Sequence, residues 1–424
     1  MALANQSVPP LEGERWHSHC RFCRAPLTTT LVDLGTTPAA NAYQTPTQMR
    51  LGETYYPLHA YVCDSCKLVQ LEDFQTPGQL FSDYLYFSSY SESWLEHAAA
   101  FADMAVERFG LTPRSLVMEV ASNDGYLLKN FLRKRIPVLG IEPAANIAMA
   151  AQRDGIPTLV EFFGVEAARH LVRGGQLADL LIGNNVLAHV PDINDFVRGL
   201  SVVLKPDGVL VMEFPHLLNL LEKSQFDTIY HEHFSYLSIL AVERIFEAHG
   251  LAIFDVDRLP THGGSLRIYA CLAINRRPEE AGLAEVRAAE KAAGLGRLET
   301  YAGFSERCGT IKRDLLRFLI DAREAGKTVA GYGAPAKGNT LLNYCGIKAD
   351  LLPFTVDISP HKQGLFLPGS RIPVFDPGHL TEARPDYVLI LHWNLTGEIT
   401  RSMSHIRDWG GRFVVPIPAL TVLD

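Results

Sequence analysis

Short, continuous apolar runs punctuate the middle of the chain. They are Ser115–Glu119 (SLVME), Pro137–Pro143 (PVLGIEP), Ala178–Asn185 (ADLLIGNN) and Val209–Phe214 (VLVMEF), each bounded by turn residues or ending on polar ones. Runs of this length without polar alternation predict strands buried on both faces of a parallel sheet. An Ala-rich stretch from about Ser93 to Phe109 predicts a helix before the first of them. A second series follows toward the C-terminus: TVAGYG, PFTVDI, YVLILHW and RFVVPI. Between the two series, Arg276 to Gly326 is charged and Ala-rich at helical spacing, which predicts long surface helices bridging two domains. The pattern is α/β, with two doubly wound sheets behind an N-terminal segment of different character.

That N-terminal segment is defined by cysteine. Cys20-x2-Cys23 and Cys63-x2-Cys66 form two knuckles with 39 residues between them. Each knuckle turns two thiolates toward one ion, and two knuckles complete a tetrahedral four-sulfur zinc site. A full cysteine set leaves no open position, so the metal is expected to be structural, with His17 and His19 as bystanders. The other cysteines, Cys271, Cys308 and Cys345, are scattered and make no disulfide framework.

Composition narrows the class. A chain of 424 residues, 47% apolar and 20% charged, is expected to be a soluble protein of two or three domains. A formal net charge of -8 disfavours nonspecific nucleic-acid binding. No run is long enough to span a bilayer and no secretory signal is read, so a cytoplasmic protein, monomeric by default, is expected.

The turn after the first strand, VASNDGYLL, has the features of a nucleotide-type cofactor site. Glu119 ends the strand, Asn123 and Asp124 offer a helix cap, and Gly125 permits close backbone approach. Glu142 ends the second strand some twenty residues on, where an acid is placed to accept from ribose hydroxyls. Asn184 and Asn185 end the third. The dinucleotide glycine fingerprint is absent.

Downstream, Tyr230 to Tyr236 reads YHEHFSY. Two imidazoles and a carboxylate within three positions supply a base, an acid and an orienter. His233 is the expected base, with Tyr230 and Glu232 beside it. His231 is left outside the expected site. Tyr84, in the aromatic segment FSDYLYFSSYS, and His189 are candidate hydrogen-bond donors together with Tyr230. The patch THGGSLRIY, from Thr261 to Tyr269, reads as a pocket wall or a hairpin turn. In the second series, Gly331, Gly333 and Gly338 tighten a loop and Lys337 sits where a helix begins, an arrangement suited to phosphate.

EVASNDG, GIEP, NNVLAHVPD and LKPDGVLVMEFP resemble class I S-adenosylmethionine-dependent methyltransferases. The whole chain is similar to something narrower, the sugar C-methyltransferases of nucleotide-linked deoxysugar biosynthesis of the tetronitrose type. The resemblance rests on CxxC…CxxC, YFSSYS, SNDGYLL, NNVLAHV, YHEHFSYLS, HGGSLRIY and GYGAPAKGNTLLN. It implies a zinc-binding module over residues 1–80 and a class I methyltransferase domain over 81–275. A helical bridge with a Rossmann-like nucleotide-sugar domain follows over 276–424. It also implies a 4-keto sugar carried on deoxythymidine diphosphate, His233 as base, and Lys337 and Lys362 against the diphosphate. Glu119, Asn123, Gly125, Glu142 and Asn184 would then hold S-adenosylmethionine. An NAD-dependent nucleotide-sugar oxidoreductase, an O- or N-methyltransferase on the same substrates, and an RNA-modifying zinc-ribbon protein are the competing readings.

Overall fold

A computed structural model describes residues 18–76, 78, 88–90 and 92–423. Three sheets organise them. The central one has the order β10-β11-β8-β7-β4-β5-β6. Its parallel part consists of β4 (Val117–Val120), β5 (Val138–Ile141), β6 (Thr158–Leu159), β7 (Ala178–Asn184) and β8 (Leu204–Pro215). All but the short β6 are apolar runs of the sequence, and β4 and β5 are buried along their whole length, as strands covered on both faces must be. The antiparallel strands β11 (Ser265–Leu272) and β10 (Leu251–Leu259) extend one edge. Strand order reverses between β4 and β7, which opens a crevice at their carboxyl ends.

The C-terminal sheet has the order β14-β13-β12-β15-β16-β17. It is built from β12 (Val329–Tyr332), β13 (Thr355–Val356), β14 (Val374–Phe375), β15 (Tyr387–Ile390), β16 (Arg412–Val415) and the antiparallel β17 (Thr421–Leu423). Its order also reverses, between β12 and β15, so a second crevice opens beside the helix Ala336–Cys345.

The third sheet joins β1 (Thr29–Thr37), β2 (Tyr56–Val62) and β3 (Val69–Leu71) to β9 (Ser235–Tyr236). Its last strand is therefore the tail of YHEHFSY, paired antiparallel through Val69↔Tyr236 and Gln70↔Ser235. Cys20, Cys63, Cys66 and Leu68 share one hydrophobic core with Met118, Val120, Leu181 and Met212 of the central sheet. The cysteine knuckles are packed onto the central sheet and do not hang from it.

The stretch between the sheets differs from its sequence expectation. The helices Ala281–Ala293 and Phe304–Glu324 are not merely surface bridges. Cys308, Ile311, Leu315 and Leu319 form a buried stripe at helical spacing, hidden in the sequence by the charges between them. Among the described residues, no helix is long and apolar enough to cross a membrane.

Candidate active site

The four cysteines named from spacing converge. Their sulfur atoms all lie within 4.8 Å of one another. Cys20 Sγ is 3.5 Å from Cys66 Sγ, and Cys23 Sγ is 3.5 Å from Cys63 Sγ. Disulfide-bonded sulfurs lie about 2.05 Å apart, whereas a tetrahedral ion with bonds of about 2.3 Å needs sulfurs about 3.8 Å apart. The donor set fits zinc. Gln70 Nε2 donates to Cys20 Sγ at 3.1 Å, the kind of second contact that steadies a thiolate ligand. His19 is exposed and outside the cluster; His17 lies outside the described residues.

At the central crevice, the turn after β4 is held by Glu142. Its Oε2 accepts from Asn123 N at 3.0 Å and its Oε1 from Ala144 N at 2.9 Å. Gly125 has φ +77°, and a Cβ there would meet Ile156 Cδ1 at 2.1 Å, so the close turn requires glycine. Asp124 Oδ2 accepts from Ser89 N at 3.1 Å. Glu119 is fully buried, and neither of its oxygens has a hydrogen-bond partner among the described residues. Burial and the neighbouring Asp124 and Glu142 charges push its pKa well above the carboxylate range. An orphaned acid at the strand end, a glycine turn and an acid on the next strand fit the nucleoside and amino-acid ends of S-adenosylmethionine. Asn184 is the last residue of β7, the strand paired with β4 on the side away from β5.

YHEHFSY is not extended at its start. His233 N donates to Tyr230 O at 2.8 Å, closing a tight turn that folds the Tyr230 ring onto the imidazole, centroids 4.0 Å apart. His233 Nδ1 donates to the Thr228 carbonyl at 2.9 Å. That bond fixes the tautomer and leaves Nε2 as an acceptor, 2.8 Å from the Tyr230 hydroxyl. Desolvation and the nearby His189 hold the His233 pKa well below the imidazole range, so the ring is neutral. His189 meets it edge-on at 4.7 Å and is pushed down to about 4 by burial. The turn, which an extended segment would not make, carries His231 away from His233, and its Nε2 lies 3.0 Å from the Pro57 carbonyl of β2.

Glu232 does not orient either imidazole of its run. It accepts instead from Asn41 Nδ2 at 2.7 Å, and burial raises its pKa to about 7. Asn41 comes from the loop after β1, and its neighbour Tyr43 donates to the Ala334 carbonyl across the second crevice. Neither was expected, because nothing in AANAYQ marks it as more than a loop.

The THGG segment is the turn of the antiparallel β10–β11 hairpin, whose pairing ends at Leu259↔Ser265. Gln225 Nε2 donates to Gly263 O at 3.0 Å, and Asn185 Nδ2 lies 3.3 Å from His262 Nε2. Trp94 stacks on His97 at 4.9 Å and meets the His262 ring at 5.4 Å. Behind it, Glu213 is fully buried between His97, Arg267 and the Thr261 hydroxyl. His97 was invisible in an Ala-rich helix. Tyr84 lies outside the described residues.

From the helix Ala336–Cys345 that follows β12, Lys337 reaches the same region. Its Nζ donates to Asn394 Oδ1 at 2.7 Å and lies 4.8 Å from the Trp393 ring centre. Trp393 Nε1 donates to Asp227 Oδ2 at 2.6 Å; Asp227 is fully buried, which raises its pKa to about 6. Lys362 Nζ donates to Ala334 O at 2.8 Å, in the turn before the Lys337 helix, with Asp357 at 3.7 Å.

Comparison with known proteins supplies the family. Residues 20–81 match a zinc binding domain model, 94–256 a methyltransferase domain and 260–418 a C-methyltransferase C-terminal domain. C-methyltransferase NovU of Streptomyces niveus is 38% identical over 405 residues, 96% of this chain and 96% of its own. A ubiquinone biosynthesis O-methyltransferase of Rhodopseudomonas palustris is 28% identical over 126 residues, 27% of this chain and 49% of its own. A solved S-adenosylmethionine-dependent methyltransferase from Clostridium acetobutylicum covers 42% of this chain and 92% of its own at 11% identity, with a TM-score of 0.35.

Proposed function

The chain belongs to the S-adenosylmethionine-dependent C-methyltransferases, and from that premise we propose that it methylates a nucleotide-linked 4-keto deoxysugar at the carbon beside the ketone. The observation that carries this reading is the His233–Tyr230 pair. A neutral imidazole with its acceptor nitrogen against a phenol is a base joined to a hydrogen-bond donor.

A sugar carbon becomes nucleophilic only when an adjacent ketone stores its charge as an enolate. His233 Nε2 takes the proton from that carbon. The Tyr230 hydroxyl, displaced from Nε2 by the substrate, turns to donate to the developing oxyanion. S-adenosylmethionine supplies the electrophilic methyl group when bound. Glu232, its pKa raised by burial to about 7, holds a hydroxyl or amino group of the sugar opposite Asn41. Lys337 and Lys362, each with its pKa lowered by burial and each facing a carboxylate, Asp227 and Asp357, are the cations for the diphosphate. The carrier is deoxythymidine diphosphate, the usual handle of the family the sequence resembles.

The test is mass spectrometry of 4-keto nucleotide sugars incubated with enzyme and S-adenosylmethionine in deuterated water. The expected product carries one added methyl on the sugar, and residual substrate gains deuterium beside the ketone. Methyl transfer to oxygen or nitrogen, located by NMR, would overturn the enolate route. No methyl transfer to any sugar in the panel would overturn the substrate class.

A further inference from the structure

The first cysteine knuckle carries a buried cation that the chemistry above does not use. Arg21 lies between Cys20 and Cys23 and is only 7% exposed. Its guanidinium reaches away from the sulfurs. One terminal nitrogen donates to Pro191 O at 2.7 Å, and the other to Leu71 O at 2.6 Å and Asp73 Oδ1 at 2.7 Å. The same group lies 5.2 Å from the centre of the Phe234 ring.

Pro191 is two residues beyond His189, and Phe234 follows His233. The two imidazoles that meet at 4.7 Å thus belong to segments resting on one guanidinium. Leu71 reinforces the junction, since its amide donates to Phe234 O at 3.0 Å. The Arg21 backbone is fixed independently. Its N donates to Gln70 Oε1 at 2.8 Å, the residue whose amide also reaches Cys20 Sγ. Its carbonyl accepts from Asn194 Nδ2 at 3.1 Å.

A planar fork engaging two carbonyls and a carboxylate is directional, unlike an ordinary surface arginine. Cys20 and Cys23 would both ligate the ion, so the metal, when bound, would pin the main chain on either side of Arg21. We propose that Arg21 is a positioning residue through which the zinc knuckle holds the His189 and His233 segments in register for proton transfer. This rests on reading His233 as the base. It gives zinc a second consequence: metal loading sets the geometry of the imidazole pair as well as the N-terminal fold.

The test compares Arg21→Met, which keeps the stem and loses the cation, with Arg21→Lys, which keeps the cation and loses the fork. On the full chain, zinc per chain, S-adenosylmethionine affinity, kcat, KM and amide hydrogen exchange are measured. Both variants are expected to retain zinc and cofactor affinity. Exchange should quicken in residues 187–193 and 228–237 but not in Phe304–Glu324. Turnover should fall about 100-fold in Arg21→Met, the cost of a misplacement near 1 Å, with KM for S-adenosylmethionine unmoved. Unchanged exchange in both segments overturns the proposal, as does unimpaired turnover. Loss of zinc in both variants overturns it too, by making Arg21 a metal-retention residue. His233→Asn, run in parallel, separates the two readings. If that variant stays active the base assignment fails, whatever Arg21 does.

Discussion

Asp357 repeats in the C-terminal sheet the hydrogen bonds that Glu142 makes in the central one. Each carboxylate ends the strand beside the first strand of its sheet. Each accepts from the turn after that first strand, Asn123 N at 3.0 Å for Glu142 and Ala334 N at 2.7 Å for Asp357. Each also accepts from the amide two residues on, Ala144 N at 2.9 Å and Ser359 N at 2.8 Å. A strand, a tight turn and a parallel neighbour impose this corner geometry wherever an acid occupies it. The corners differ in charge: Lys362 sits beside Asp357, whereas Asp124 sits near Glu142 and helps to raise its pKa.

That difference separates two substitutions. Glu142→Ala is expected to weaken S-adenosylmethionine binding by about 1.5–3 kcal/mol, the worth of hydrogen bonds to a charged group. Asp357→Ala should leave that affinity unchanged while lowering Tm, since it strands the buried Ala334 amide and the half-buried Ser359 amide. Titration calorimetry beside thermal unfolding distinguishes them. Equal cofactor losses would mean that Glu142 only holds its turn.

The His233 pKa carries a pH signature. A base must be unprotonated, and lowering its pKa extends the neutral form toward acid. The acid limb of kcat/KM is expected below the ordinary imidazole range of about 6.5. His233→Asn should lose about 10²–10⁴ in kcat with cofactor binding retained. A wild-type limb at or above the ordinary range contradicts the assignment.

Glu232 makes a stability prediction with a definite sign. Its carboxyl, only 4% exposed, is raised from 4.5 to about 7, so the folded chain binds more protons than the unfolded one between those values. Stability therefore falls as pH rises through that window, by on the order of 3 kcal/mol. Glu232→Gln should flatten this part of the curve and be relatively more stable at pH 8 than at pH 5. Urea unfolding across the range is the measurement, and parallel curves for both proteins would refute it.

Zinc removal should reach beyond its own module. Cys63→Ser is expected to lower metal content and soluble yield, because Cys20, Cys63 and Cys66 belong to the core that also contains Met118 and Val120. Elemental analysis with hydrogen exchange of β3 and β9 tests this. A zinc-free, stable and fully active variant would remove the structural role.

Lys337→Met should raise KM for the sugar nucleotide at least tenfold and leave KM for S-adenosylmethionine nearly constant. The loss of a charge-assisted hydrogen bond sets that scale. Steady-state kinetics with each substrate varied gives the answer, and an unchanged sugar-nucleotide KM would move the diphosphate elsewhere.

Much of this molecule follows from local pattern. The apolar runs became β4, β5, β7, β8, β12, β15 and β16, because a strand buried on both faces needs no partner to announce itself. The cysteine spacing determined the four-sulfur cluster, since a knuckle is a local turn that one ion can close. What depends on distant segments was settled only in three dimensions. Tyr230 and His233 stood out by residue type, yet their turn and tautomer depend on the Thr228 carbonyl and a folded backbone. Asn41 on Glu232, Trp393 on Asp227 and Arg21 beneath Phe234 join residues far apart along the chain. No periodicity encodes such contacts. They arise where three sheets share buried surface, and the desolvation that lowers the His233 pKa and raises that of Glu232 exists only there.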